Sequence, residues 1–485
     1  MNGVGGRATA RWWALIVVSL IQLMIVLDAT IVNIALPAAQ RELGMSDASR
    51  QWVITAYALV FGSLLLLGGR VSSRVGHRRA ATFSLIGFAV ASVIGGLATS
   101  PLMLFAARGV QGVFAAVLAP AVLALLSIMF TESRDRGAAF GVFAAVSAAG
   151  SAVGLLAGGV FTEYLDWRWC LYVNVPISLV ALLGTPLLPP AREDQRPRVD
   201  LIGALLSAAA LAAIVWGFTE AESYGWADAR VVLYILSGAV LLIVFFVIET
   251  RVAHPLLPLE ILRAPTRAAA FLASLLMQVA LFGFYLFMTF FTQNELGYTP
   301  IQAGLAMVIT AGGAVVGSTL LAGQLLNRVR PVMLVVPGLL AVAAGLVWLS
   351  QLPAGRPDVF LGYLLPAQML IGIGMGVVIT PTSSLATSGL GSADAGVASA
   401  IYNATQQIGA AMGTALANTI ATAATATAVA SASMTAAEAA LTGYRTAMWA
   451  GAAIVLIGAL GSGVLLARRS MPSREVAISS TRENS

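Results

Sequence analysis

Apolar residues fall into long runs separated by short polar or turn-rich breaks. Runs of about 18 to 26 residues match the length a helix needs to cross a bilayer core. In chain order they predict fourteen membrane-spanning helices, at 12–36, 52–69, 80–98, 102–127, 137–160, 170–189, 201–219, 231–249, 268–292, 301–325, 332–350, 359–381, 396–419 and 445–467. Typical breaks are Arg41-Glu42-Leu43-Gly44 and Glu132-Ser133-Arg134-Asp135-Arg136. A longer charged link with Arg251, His254, Glu260, Arg263 and Arg267 precedes the ninth run. The plan is six helices (1–189), two more with their linkers (190–267), then six and a tail (268–485). The Ala- and Thr-rich stretch 421–440 reads as an outer loop, because Thr, Ser and Glu438 dilute its hydrophobicity.

The arginines test this count, since cytoplasmic loops of membrane proteins collect basic residues. With the amino terminus inside, 20 of the 27 basic residues fall in inward loops or tails, six in outward loops, and Arg108 lies within a span. Adding or losing a span scrambles the separation, so both termini are expected in the cytoplasm. Trp12 and Trp13 then sit at the inner edge, and Trp52, Trp167, Trp169, Trp226, Trp348 and Trp449 near the outer one. Composition agrees: 59% of residues are hydrophobic, 10% are charged and mean hydropathy is +0.89. These values exclude an ordinary soluble domain. The charge of +6 is spread among short loops without a continuous basic face, which argues against a nucleic-acid partner. Cys170 has no second cysteine to pair with, and two histidines without ligand spacing give no metal site. Every basic residue is arginine, and the chain is rich in Ala and Gly, as in a high-GC bacterium; a multi-pass protein of the bacterial cytoplasmic membrane is expected.

Against this background two residues stand out. Asp28 is a carboxylate inside the first span and Arg108 a guanidinium inside the fourth, at similar depth. Intramembrane ionisable groups are costly and pair with one another or line a pathway. Burial favours the neutral acid and a nearby arginine the ionised one, so such a pair is suited to take up and release a proton. Gln111 adds a polar group one turn after Arg108, followed by Gly112. In the fifth span Gly150, Gly154 and Gly158 form one stripe, with Gly141 and Gly159 beside it, which lets another helix pack closely. Gly69-x-x-x-Ser73-Arg74 recurs as Gly323-x-x-x-Asn327-Arg328 at the second helix of each half, as in transporters built from repeats.

These motifs together resemble the fourteen-span drug:proton antiporter family of the major facilitator superfamily. Leu27-Asp28 through Asn33 and Pro37 resembles the family's first-span signature, and Gln51-Trp52 with Tyr57 and Leu59 the start of the second. Arg108, Gln111 and Gly112 match its fourth-span motif, and Gly141, Gly150, Gly154, Gly158 and Gly159 its antiporter motif. Trp167-Arg168-Trp169 with Asn174 and Pro176 follows. Gln293, Gly297-Tyr298-Thr299-Pro300 and Gly304, then Asn403, Gln407 and Gly409, extend the likeness through the second half. Two positions depart from the pattern. Within the gating loop of Gly69, Ser73, Arg74, Gly76, Arg78 and Arg79, serine replaces the acid that in relatives locks the cytoplasmic gate. Leu155 replaces the antiporter proline, which puts the usual bend of that helix in doubt.

The resemblance implies an all-α integral membrane protein with the major facilitator fold, two six-helix halves plus two extra helices. It implies proton-coupled export of amphipathic drugs, antibiotics or other toxic small molecules, with Asp28 and Arg108 as the coupling pair. Tyr57, Phe282, Tyr285, Asn403 and Gln407 are candidates for the substrate pocket. The expected partners are the substrate, protons and the lipid bilayer; the protein is expected to be monomeric, to use the proton gradient with no cofactor, and not to be an enzyme. Uptake of a small solute by a related transporter is the alternative, against which the antiporter-type glycines weigh. A membrane enzyme or receptor lacks a nucleophile, a metal set or a loop long enough to fold alone.

Overall fold

A computed structural model describes residues 4–45, 52–190, 201–252, 257, 259–353, 359–430 and 435–467. Among these residues the chain is helical throughout, as a membrane protein must be when its backbone polar groups have no water to bond. The first half comprises α1 (Val4–Leu43), α2 (Trp52–Val75), α3 (His77–Gly96), α4 (Pro101–Met129), α5 (Ser133–Tyr164) and α6 (Trp169–Leu187). Then come α7 (Leu201–Tyr224) and α8 (Ala229–Glu249). The rest is α9 (Pro265–Phe290), α10 (Ile301–Leu325), α11 (Val332–Leu349), α12 (Phe360–Thr387), α13 (Ser392–Ala430) and α14 (Ala436–Ala467). Among the described residues, twelve helices are long and apolar enough to cross a membrane; α7 contributes a shorter apolar stretch, Ile202–Phe218, and α13 is diluted by Asn, Gln and Thr.

Each expected run coincides with a helix, but several helices outlast their apolar runs. α1 continues to Leu43, and α2 passes through Arg70, which was expected in a loop and is instead buried. The outer loop expected at 421–440 is corrected in part: α13 extends to Ala430 and α14 begins at Ala436. Gly443 lies so close to Thr425 and Ala421 that a methyl there has no room, so these extensions pack on each other. Hydropathy does not see such helices, because Ala and Thr form them without being strongly apolar.

Local signals set the ends. Ser100 caps α4 by accepting from the Met103 amide, with Pro101 in the first helical position. Thr299 and Gln302 form a reciprocal capping box at the start of α10. Gly76, at φ 95°, turns α2 into α3 within one residue, a conformation that favours glycine. α5 runs unbroken past Leu155, as expected of a helix lacking the proline.

The buried apolar side chains form two large clusters. One gathers α1–α6 with Leu211 of α7, Phe245 of α8 and Val397–Tyr402 of α13. The other gathers α9–α12 and α14 with Ala148 of α5. Helices α5 and α13 therefore each contribute to the opposite half. Arg11 of α1 lies 3.8 Å from Asp135 of α5, and Arg136 and Pro331 border one cleft. Gly463 of α14 lies against Val336 of α11, close after Pro331. The beginning of α1 and the end of α14 thus share one end of the molecule, called here the terminal face.

Candidate functional site

Asp28 and Arg108 meet in the interior of the first half. An Arg108 Nη donates to Asp28 Oδ2 at 2.7 Å, and both side chains are essentially inaccessible. The same Nη donates to Gln111 Oε1 at 2.9 Å, and Nε donates to the Val53 carbonyl at 3.1 Å. The guanidinium lies over the Tyr57 ring, 4.4 Å from its centroid. Gln111 Nε2 donates to Ser92 Oγ at 2.8 Å and to Asp28 Oδ1 at 3.3 Å. A further donor comes from α6: Asn174 Nδ2 reaches Asp28 Oδ1 at 2.7 Å. Five of the first six helices besides α5 thus converge on one carboxylate. Gly112 makes this possible, since a Cβ there would lie 2.8 Å from the Tyr57 carbonyl and hold α4 away from α2.

Removing one partner from a buried ion pair costs about 3–5 kcal/mol, because the other charge is left without compensation. Each of these donors satisfies an oxygen of Asp28, so the carboxylate is held rather than merely buried. On the side away from the terminal face the neighbouring cavity is about 10 Å³ and lined by Val32, Val53, Leu104 and Leu171, too small and too apolar to keep a water chain.

The other expected residues divide. Tyr57 joins the pair as described. Phe282 is exposed and edge-on to Tyr285 at 6.2 Å, and the Tyr285 hydroxyl faces Met375 Sδ. Asn403 bonds back to the Ser399 carbonyl, and Gln407 faces α2 at Gly62. The structure therefore places Tyr57 on α2 with Gln407 of α13 against the same helix, and Phe282 and Tyr285 together on α9. Trp52 stacks near Trp216 of α7, with ring centroids 4.9 Å apart. Gln51 lies outside the described residues, as do the side chains of Asn33 and Pro37.

The α5 glycines serve two partners. Gly150 and Gly154 face α1, where a Cβ on Gly154 would come 3.0 Å from the Leu27 carbonyl, next to Asp28. Gly141 and Gly159 face α10, at the Ser318 carbonyl and Ile301. The Gly158 carbonyl accepts from Cys170 Sγ at 3.9 Å. One helix thus backs the ion pair on one edge and the second half on the other. α10 widens into a π-helical turn, Val316–Ala322, where Gly141 approaches.

At the terminal face the halves are sealed by two matching contacts. On α2, a Cβ on Gly69 would lie 2.7 Å from the Gly396 carbonyl, and a Cβ on Gly396 would meet Ser73 Oγ. Ser73 Oγ itself donates to the Gly69 carbonyl at 3.0 Å. On α5, Gly137 approaches the Gly323 carbonyl and Asn327 Nδ2 in the same way. The repeated Gly-x-x-x-polar pattern is thus a pair of backbone-to-backbone seals between halves. Arg74 and Arg79 are exposed and Arg78 is half-buried. Arg136 adds a latch: Nε donates to Ser384 Oγ at 2.8 Å and one Nη to the Ser384 carbonyl at 2.8 Å and Thr387 Oγ1 at 3.2 Å. These acceptors lie in the last turn of α12, where a cation complements the free carbonyls. The sequence offers the Glu132–Arg136 segment, beside Arg74 and Arg78, as a contact that could close this face; the structure shows Arg136 making it.

At the opposite face Glu42 ties α1 to the start of α6. Its carboxylate accepts from Trp167 Nε1 at 2.7 Å and from Arg168 at 2.6 Å. The Trp167 bond, then the Arg168 bond, hold its pKa below the usual carboxylate value. Arg168 also donates to the Ala98 carbonyl at 3.1 Å, joining α3.

Two helical bundles sealed on each other at one face, with a buried ion pair inside one of them, define a membrane transporter built from paired repeats. The chain belongs to the Major Facilitator Superfamily, whose family model matches residues 18–414. It is 49% identical over 479 residues to the puromycin resistance protein pur8 of Streptomyces alboniger, covering 98% of this chain and 95% of that one. It is 38% identical over 424 residues to the cephamycin export protein CmcT of Amycolatopsis lactamdurans, covering 86% and 87%. Among solved structures, the human organic anion transporter MFSD10 superposes with a TM-score of 0.65 at 14% identity, over 93% of this chain and 99% of that one, a likeness of fold.

Proposed function

We propose that this protein exports amphipathic drugs or antibiotics across the bacterial cytoplasmic membrane in exchange for protons, with both termini in the cytoplasm and all fourteen helices spanning. The carrying observation is the buried Asp28–Arg108 pair, enclosed by neutral hydrogen-bonding groups, and we assign the proton to Asp28 at its centre. The names of the resistance and export relatives support the direction of transport, and the arginine distribution supports the orientation. On this reading the terminal face is cytoplasmic, and its seal leaves the transporter closed to the cytoplasm. The proton gradient is the only driving force, without a bound cofactor, and one chain suffices.

The test uses inverted membrane vesicles with an imposed proton gradient and a puromycin-class or other amphipathic antibiotic. Asp28→Asn keeps the size of the side chain while removing the titrating group, so gradient-driven uptake into the vesicles is expected to stop at unchanged protein level. Uptake that continues in Asp28→Asn places proton coupling elsewhere.

A further inference from the structure

Asp28 has three side-chain partners, and they differ in what they do when the acid takes up a proton. Arg108 only donates. Gln111 is committed: Nε2 serves both Ser92 and Asp28 while Oε1 accepts from Arg108, so turning the amide would set its NH₂ against the guanidinium. Asn174 is different. Its Nδ2 donates to Asp28 Oδ1 at 2.7 Å, while its Oδ1, fully buried, has no hydrogen-bond partner among the described residues. Rotating this amide by half a turn breaks one bond and makes one, and it brings an acceptor to Asp28 where a donor had been.

The geometry points to Asn174 as a positioning residue that follows the protonation state of Asp28, donating to the carboxylate and accepting from the carboxylic acid. A proton arriving at Asp28 forms an O–H on Oδ1, since Oδ2 faces the obligate donor Arg108. Asn174 then turns its Oδ1 toward that hydrogen, and on deprotonation it turns back. The number of hydrogen bonds is the same in both states, which is the condition for a group that switches without favouring either. The charged and titratable groups facing Asp28 are Arg108 from α4 and Tyr57 from α2, whose ring lies under the guanidinium. α6 contributes only the neutral amide. Because Asn174 opens the α6 segment Asn174–Gly184 directly after the break at Val173, its turning is also a route by which protonation reaches α6.

The inference rests on Asp28 as the proton carrier, and infrared spectroscopy separates the two. Difference spectra of the purified protein across a pH titration show the carbonyl band of protonated Asp28, assigned by its loss in Asp28→Asn. In Asn174→Leu, similar in size but unable to accept, that band is expected at higher wavenumber, because the acid hydrogen has lost its acceptor. In protein carrying ¹³C-labelled asparagine, a shifted amide carbonyl band is expected to rise with the same midpoint and to vanish in Asn174→Leu. Gradient-driven export by Asn174→Leu is expected to fall at least tenfold, while substrate binding changes less than twofold. An Asp28 band at the same wavenumber in both proteins, or an asparagine band that does not follow the titration, overturns the role of Asn174. Export that persists in Asp28→Asn overturns proton coupling at Asp28 and leaves the infrared result to decide on Asn174.

Discussion

Removing the Arg136 side chain is expected to open the terminal face. Three of its bonds cross from α5 to α12, at 2.8, 2.8 and 3.2 Å, while the fourth, to Phe130 at 3.4 Å, stays within its own half. Hydrogen bonds to a charged group contribute about 1.5–3 kcal/mol each, but in the open state water would serve this half-buried guanidinium as well. Taking about 1 kcal/mol for each crossing bond gives roughly 3 kcal/mol, which changes the closed-to-open ratio by about 100-fold. Arg136→Lys keeps the charge and loses the planar fork, so an intermediate shift is expected. Spin labels at Phe83 on α3 and Met333 on α11, both exposed, report the separation of the halves. The distance distribution is expected to gain a longer population in Arg136→Ala. A distribution that superposes on that of the unmodified protein refutes the latch and leaves closure to the glycine contacts.

Those contacts give a second prediction: Gly396→Val places a branched side chain against the Gly69 carbonyl, 3.0 Å from where its Cβ must go, so transport is expected to fail at normal membrane abundance. Wild-type transport in drug-resistance and vesicle assays counts against the seal. Arg108→Ala is expected to destabilise by about 3–5 kcal/mol through the orphaned Asp28, and pairing it with Asp28→Asn should restore much of the loss in thermal unfolding. At the opposite face, Glu42 has a lowered pKa, so its contribution is present above the unfolded value of 4.5 and lost as pH falls through the folded one. Glu42→Gln should therefore melt earlier than the parent at neutral pH, with the gap closing in acid; a gap that is independent of pH rejects the linkage.

The helices were legible because apolar runs are the condition for a membrane span, and their extensions were not, because Arg41, Glu42 and the Ala-Thr stretch after Ala421 are helical without being apolar. Asp28 and Arg108 were legible from depth alone, since charges inside spans are few. Asn174 was legible as a motif residue but without a role: a neutral amide two residues before Pro176 carries no sign of its partner, and only the geometry shows it on Asp28. The position of Ser73 read as a missing acid; in the structure it abuts Gly396, where close backbone approach joins the halves and buried Arg70 of α2 is attracted to Asp394 of α13. The aromatic candidates on α9 were chosen by residue type, and type does not report which way a helix face turns.

The dilution of α13 by Asn403, Gln406, Gln407 and its threonines bears on how the chain is made. A segment entering the bilayer during synthesis is selected by its own hydrophobicity, and polar amides at its centre weaken that selection. α13 packs on α2 and α4 as well as on α9 and α14, and it buries Val397, Ile401 and Tyr402 in the first-half cluster, so its polar groups are tolerable only once earlier helices are in place. Its integration is then expected to depend on the helices already in the membrane rather than on its own hydrophobicity. In glycosylation mapping, α13 placed alone behind a single leader span should stay outside the membrane, whereas the full chain carries it across.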